Sequence, residues 1–114
     1  MKTMTRSNLH IILTNGTKIR CVADSSSAPE QGYIVEELIL PLLKLTDALA
    51  ELTLIREHCT MNEQRSNADY RYEINLITKR VSFFEERYDS GRDTFDRGED
   101  ITDRYEAYLY MIRC

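Results

Sequence analysis

One apolar stripe, Tyr33 to Cys59, constrains this chain more than any other feature. Val35, Leu38, Leu42, Leu45, Leu49 and Leu52 recur at alternating helical spacings, which places them on one face of an α-helix. Ile39, Leu43 and Ile55 widen that face beyond a narrow seam. A face this broad is expected to lie on a sheet or a core. Pro41 falls inside the stripe, where it has no N–H for the carbonyl of Glu37 and crowds the preceding turn. Two outcomes fit, a kinked helix or a short helix before Pro41 and a longer one starting on it; because the stripe keeps phase across Pro41, the kinked but continuous helix is expected. Glu36, Glu37, Lys44, Asp47 and Glu51 punctuate it, so no run reaches the ~18 uninterrupted apolar residues of a membrane span.

Upstream, two β-branched runs between Leu9 and Ala23 flank Asn15-Gly16. Asn-Gly favours a two-residue hairpin turn because both residues tolerate positive φ. That turn would set Ile12 opposite Ile19 and His10 opposite Cys21. Ser27-Ala28-Pro29-Glu30 has the form of a capping box, with Ser27 as N-cap. Downstream, Met61 to Asp69 is polar and reads as a loop. Tyr70 to Tyr88 alternates, and a turn at Thr78-Lys79 opposes Leu76 to Val81, Ile74 to Phe83 and Arg71 to Glu86. Asp89 to Asp100 reads as a loop. Ile101, Tyr105, Tyr108, Leu109 and Ile112 recur at helical spacing and predict a short C-terminal helix capped by Asp100 or Thr102; a strand is the rival, since Tyr108, Tyr110 and Ile112 also alternate.

The expected fold is α+β, in the order ββαββα: two hairpins forming a mostly antiparallel four-stranded sheet packed on one long helix, with residues 1–114 as a single domain. No apolar core of signal-peptide length follows Lys2 and Arg6. Three cysteines are too few and too uneven for a secreted disulfide framework, so a soluble cytoplasmic protein is expected.

No motif carries a reaction, and no catalytic, cofactor or metal residue is assigned. The pair His10 and Cys21, with His58-Cys59, holds the residue types of a zinc or thiol site, but there is no CxxC and no HxxxH. Asp89, Asp93, Asp96, Glu99 and Asp100 lack a calcium-loop pattern and are interleaved with arginines. Ser25 to Ser27 precede a helix start without the glycines of a phosphate loop.

Lys2, Arg6, Lys18 and Arg20 make the N-terminal hairpin basic, a nucleic-acid reading that the net charge of −4 and the absence of strand aromatics oppose. Tyr70, Tyr72, Tyr88, Tyr105, Tyr108 and Tyr110 are the residues offered to a protein partner, since tyrosines anchor interfaces. The leading expectation is a non-enzymatic interaction or regulatory module, with a homodimer burying surplus leucine stripe. The alternatives are a nucleic-acid binder and a small metal or thiol protein.

Overall fold

The computed structural model describes residues 5–113. Lys2 and Cys114 lie outside that range. Strands β1 (Ser7–Ile12) and β2 (Lys18–Ala23) form the expected hairpin, but its turn is one residue longer than Asn15-Gly16. The Leu13 N–H donates to the Thr17 carbonyl and the Gly16 N–H to the Leu13 carbonyl, each at 2.8 Å. Gly16 takes φ +89°, as the last residue of such a loop requires. The register therefore moves by one: Ile12 faces Lys18, His10 faces Arg20 and Leu9 faces Cys21. A one-residue slip exchanges faces, so His10 and Cys21 stand on opposite sides of the sheet.

Ser27 is fully buried and does not cap a helix. Its hydroxyl donates to the Thr5 carbonyl at 2.8 Å and meets the Ser7 hydroxyl at 2.7 Å. A 3-10 turn, Pro29–Gln31, follows, and there Gln31 rather than Glu30 closes the box by accepting from the Ala28 N–H.

The stripe does not make one long helix. It opens with wide π-type turns over Ile34–Ile39, continues as α1 (Leu40–Lys44), breaks, and resumes as α2 (Ala48–His58). Pro41 is not the break. It lies in the first turn of α1, where a missing N–H is tolerated. The chain instead becomes extended at Leu45 (φ −86°, ψ 152°), and the Asp47 carboxylate caps α2 by accepting from the Ala50 N–H at 2.9 Å. The break resets the phase: Val35, Leu38 and Leu42 are fully buried, whereas Leu49 is 71% exposed.

Strand β3 (Thr60–Met61) pairs with β2, and β4 (Tyr70–Asn75), β5 (Arg80–Asp89) and β6 (Thr94–Asp100) complete a six-stranded sheet in the order β3-β2-β1-β4-β5-β6. The sheet is mixed, because β1 and β4 run parallel while the other neighbours are antiparallel. This corrects the four-stranded, mostly antiparallel expectation, although α+β stands. The second hairpin keeps its expected faces with a register shifted by two: Ile74 faces Val81 and Tyr72 faces Phe83. Asn75 sets that turn by accepting from the N–H groups of Ile77 and Thr78, with Lys79 at φ 60°. The stretch 89–100, expected as a loop, holds the end of β5 and all of β6. Helix α3 (Thr102–Arg113) forms where expected, with Asp100 accepting from the Thr102 N–H at 2.9 Å.

The core lies on one face only. Leu9, Ile11, Cys21, Tyr72, Ile74 and Phe83 meet Ile34, Leu38, Leu42 and Ile55 from the stripe and Tyr105 and Tyr108 from α3. At Gly32 (φ +87°) an added Cβ would lie 2.8 Å from the Tyr108 hydroxyl, so α3 packs against bare backbone there. No helix among the described residues is long and apolar enough to cross a membrane.

Candidate functional site

Among the described residues, the opposite face of the sheet carries no helix. The strand registers arrange its side chains in three rows, each running across β2, β1, β4 and β5. The first is Val22, Asn8, Arg71 and Phe84, and all four are buried. The second is Arg20, His10, Glu73 and Ser82. The third, nearest the hairpin tips, is Lys18, Ile12, Asn75 and Arg80. Lys18, Arg20 and Arg80 are exposed, and the other members of these two rows are half-buried.

Arg97 lies over Phe84 at 5.1 Å, while the connection from β3 to β4 passes over β2 and β1 and covers that end of the first row. Asn8 pins it: its amide donates to the Arg65 carbonyl at 3.1 Å and its carbonyl accepts from the Arg65 N–H at 2.7 Å. The Arg65 guanidinium also holds Asp24 at 3.0 Å. Beneath this strap the Asn8 amide donates to Glu86 at 2.7 Å, and Arg71 donates to the same carboxylate at 2.9 Å. The Glu86 side chain is 0% exposed, so this is a buried ion pair with its hydrogen bonds met. Arg71 and Glu86 are thus joined as expected, but as diagonal neighbours, since Arg71 sits directly opposite Phe84.

The second and third rows stay open and floor a groove of about 820 Å³, walled on one side by Asn62, Glu63 and Gln64 and on the other by Thr78. Gln64 reaches the His10 ring at 3.1 Å. Burial, and then the nearby Arg71 guanidinium, hold His10 below its ordinary value of 6.5. Glu63 is paired with Arg65, and Glu73 with Arg71 and Arg97, each at 3.3 Å. Lys18, Arg20 and Arg80 form no ion pair among the described residues. The groove therefore presents three unpaired cations on a surface whose carboxylates are already engaged.

Of the residues singled out as basic, Lys18 and Arg20 share this groove. Arg6 lies at the far end of the hairpin and holds Asp24 at 3.5 Å. Lys2 is outside the described residues. Arg80 was not anticipated. Its signal was the polar face of the second hairpin, which joins the first only through the β1–β4 pairing.

The tyrosines scatter. Tyr72, Tyr105 and Tyr108 are buried in the core. Burial pushes Tyr105 up to about 12, and it holds Tyr72 well above the usual phenol range. Tyr70 is half-buried under Arg104, whose guanidinium lies 5.0 Å from its ring and pairs with Glu30 at 2.8 Å. Tyr88 packs on Phe95 with ring centroids 4.8 Å apart and donates to Asp93. Tyr110 alone of the six is largely exposed, at 75%.

The histidines and cysteines do not converge. Cys59 neighbours Cys21, and this contact together with burial holds the Cys21 thiol above its ordinary range. His10 is on the other face, and the His58 ring nitrogen is taken by the Tyr33 hydroxyl at 2.6 Å. Among the described residues no three His, Cys, Asp or Glu side chains are grouped to hold a metal ion. Ser27, the last of the serine run, is committed to the core edge. In the acidic stretch Asp89 caps the turn at Gly91 and Arg92.

Comparison with known proteins brings no relative to bear on this groove: no family model matches the chain, no curated protein matches it, and no solved structure matches it.

Proposed function

We propose that this chain is a small non-enzymatic interaction module and that its helix-free groove takes the partner. One observation carries the reading: Lys18, Arg20 and Arg80 stand unpaired on a preformed surface, on a face where Arg65, Arg71 and Arg97 are all paired. Cations left free in this way cost the fold nothing and steer an acidic partner toward the groove. A cytoplasmic location belongs to the same proposal and rests on the sparse, unbridged cysteines.

Selection of binders from an unbiased peptide-display library, mapped by amide shifts on the labelled protein, tests the reading. Binders that shift His10, Arg20, Glu73 and Ser82 support it. Binders that gather only elsewhere, or tighter capture of an oligonucleotide that Lys18→Glu weakens, overturn it.

A homodimer is the second reading. The surplus leucine stripe no longer argues for it, because only Leu49 of that stripe is largely exposed. What favours it is the end of α3, where Tyr110 and Met111 are 75% and 61% exposed. Light scattering decides: a dimer that survives high salt and is lost in Met111→Lys supports it, and a monomer at every concentration ends it.

A further inference from the structure

Resting on the groove as the binding surface, we infer that the partner is an extended acidic polypeptide segment with two carboxylates four residues apart and an apolar side chain midway between them. Lys18 and Arg80 end the same row, on β2 and β5 with β1 and β4 between them. Three strand spacings of about 4.8 Å separate them by roughly 14 Å. An extended chain rises about 3.4 Å per residue and so covers that span in four residues. Side chains at the first, third and fifth positions of such a segment point to one face. The first would meet Lys18, the fifth would meet Arg80, and the third would come down near Ile12, the single apolar member of the row. Arg20 lies one pleat along β2 from Lys18, so the carboxylate at that end is held between two cations. The wall formed by Asn62 and Gln64 offers amides to the segment's backbone.

The same groove suits nucleic acid poorly. No Phe, Tyr or Trp lines it, and its one aromatic ring, His10, is half-buried and held by Gln64, so the groove offers no open platform for base stacking. Glu63 and Glu73 stand among its lining residues and would face a phosphate chain at every register. Two discrete carboxylates avoid them where a continuous polyanion does not.

Blocked synthetic peptides on the full chain test the spacing. Asp-Ser-Leu-Ser-Asp, flanked by glycines, is expected to bind and to shift the amides of Ile12, Lys18 and Arg80. Isomers with the acids two or six residues apart are expected to bind at least about tenfold more weakly, equivalent to ~1.4 kcal/mol. Lys18→Glu with Arg80→Glu is expected to reverse the preference toward the peptide carrying lysines in place of its acids. Affinity that follows total charge regardless of spacing overturns this inference and leaves the groove reading standing. So do library-selected groove binders that carry no acidic pair. Failure of every peptide to shift a groove amide, beside groove-mapped binding of an oligonucleotide, overturns both.

Discussion

The two faces of the one sheet solve opposite problems. The inner face buries Leu9, Ile11, Tyr72, Ile74 and Phe83 under helices, and its stability is a matter of apolar area and fit. The outer face is covered over only one of its three rows, where a strap tied by Asn8 and Arg65 lies over a row that mixes buried Val22 and Phe84 with the buried Asn8, Arg71 and Glu86 network. The contrast teaches where each kind of residue is free to change. On the inner face volume is constrained; under the strap, hydrogen-bond partners are; at Lys18, Arg20 and Arg80 in the open groove neither is, and the proposed ligand would be their remaining constraint.

The sharpest way to break this comparison is to remove volume from the inner face. Tyr72→Ala deletes a fully buried ring packed 4.6 Å from Phe83, together with a hydroxyl that donates to the Ser27 carbonyl at 2.6 Å. Its expected cost is about 3–5 kcal/mol, read from chemical denaturation. A loss of a few tenths would mean the core is not where the stability lies. Next comes the strap. Glu86→Leu leaves the buried Arg71 guanidinium with only its 3.3 Å contact to Glu73 and should cost roughly 3 kcal/mol, whereas adding Arg71→Met should restore most of it. A double variant as damaged as the sum of the singles would show that the two act separately.

A smaller effect is expected from pH. His10 is faced by Arg20 on β2, by Glu73 and Arg71 on β4, and by Gln64 on the strap. Its folded value lies below the unfolded one, so the unfolded chain binds the proton more readily. Stability should therefore be full above the ordinary value of 6.5 and fall as pH drops through it toward the folded value. His10→Gln should remove that part of the slope in urea titrations at stepped pH. The smallest effect belongs to the groove cations: Lys18→Glu and Arg80→Glu should each stay within about 0.5 kcal/mol of the parent in melting experiments. A larger loss would place these side chains in the fold rather than at a ligand.

The same contrast explains how much was legible in the sequence. Both hairpins and α3 were, because alternation and helical spacing are local signals. Their registers were not, because each depended on turn chemistry: Gly16 closing a three-residue loop, and Asn75 folding back on Ile77 and Thr78. The helix break is written in Asp47, a capping residue that the leucine periodicity around it disguises. Strand β6 carries no apolar alternation. It is an exposed, charged edge held by backbone pairing, by Phe95 on Tyr88 and by Arg97 over Phe84 at 5.1 Å. The groove itself was illegible, because it exists only once β1 and β4 lie side by side and the strap crosses them. No local window of sequence holds His10, Gln64 and Arg80 together.

The parallel pairing of β1 with β4 also bears on synthesis. When the first hairpin leaves the ribosome, its β1 edge, with Leu9 and Ile11, has no neighbour until Tyr70–Asn75 has been made. The nascent chain thus carries an apolar, unsatisfied strand edge while residues 24–69 are being made. A pause that holds the chain there should favour aggregation or chaperone capture, so one of the two central strands of the finished sheet is a vulnerable segment while the protein is being born.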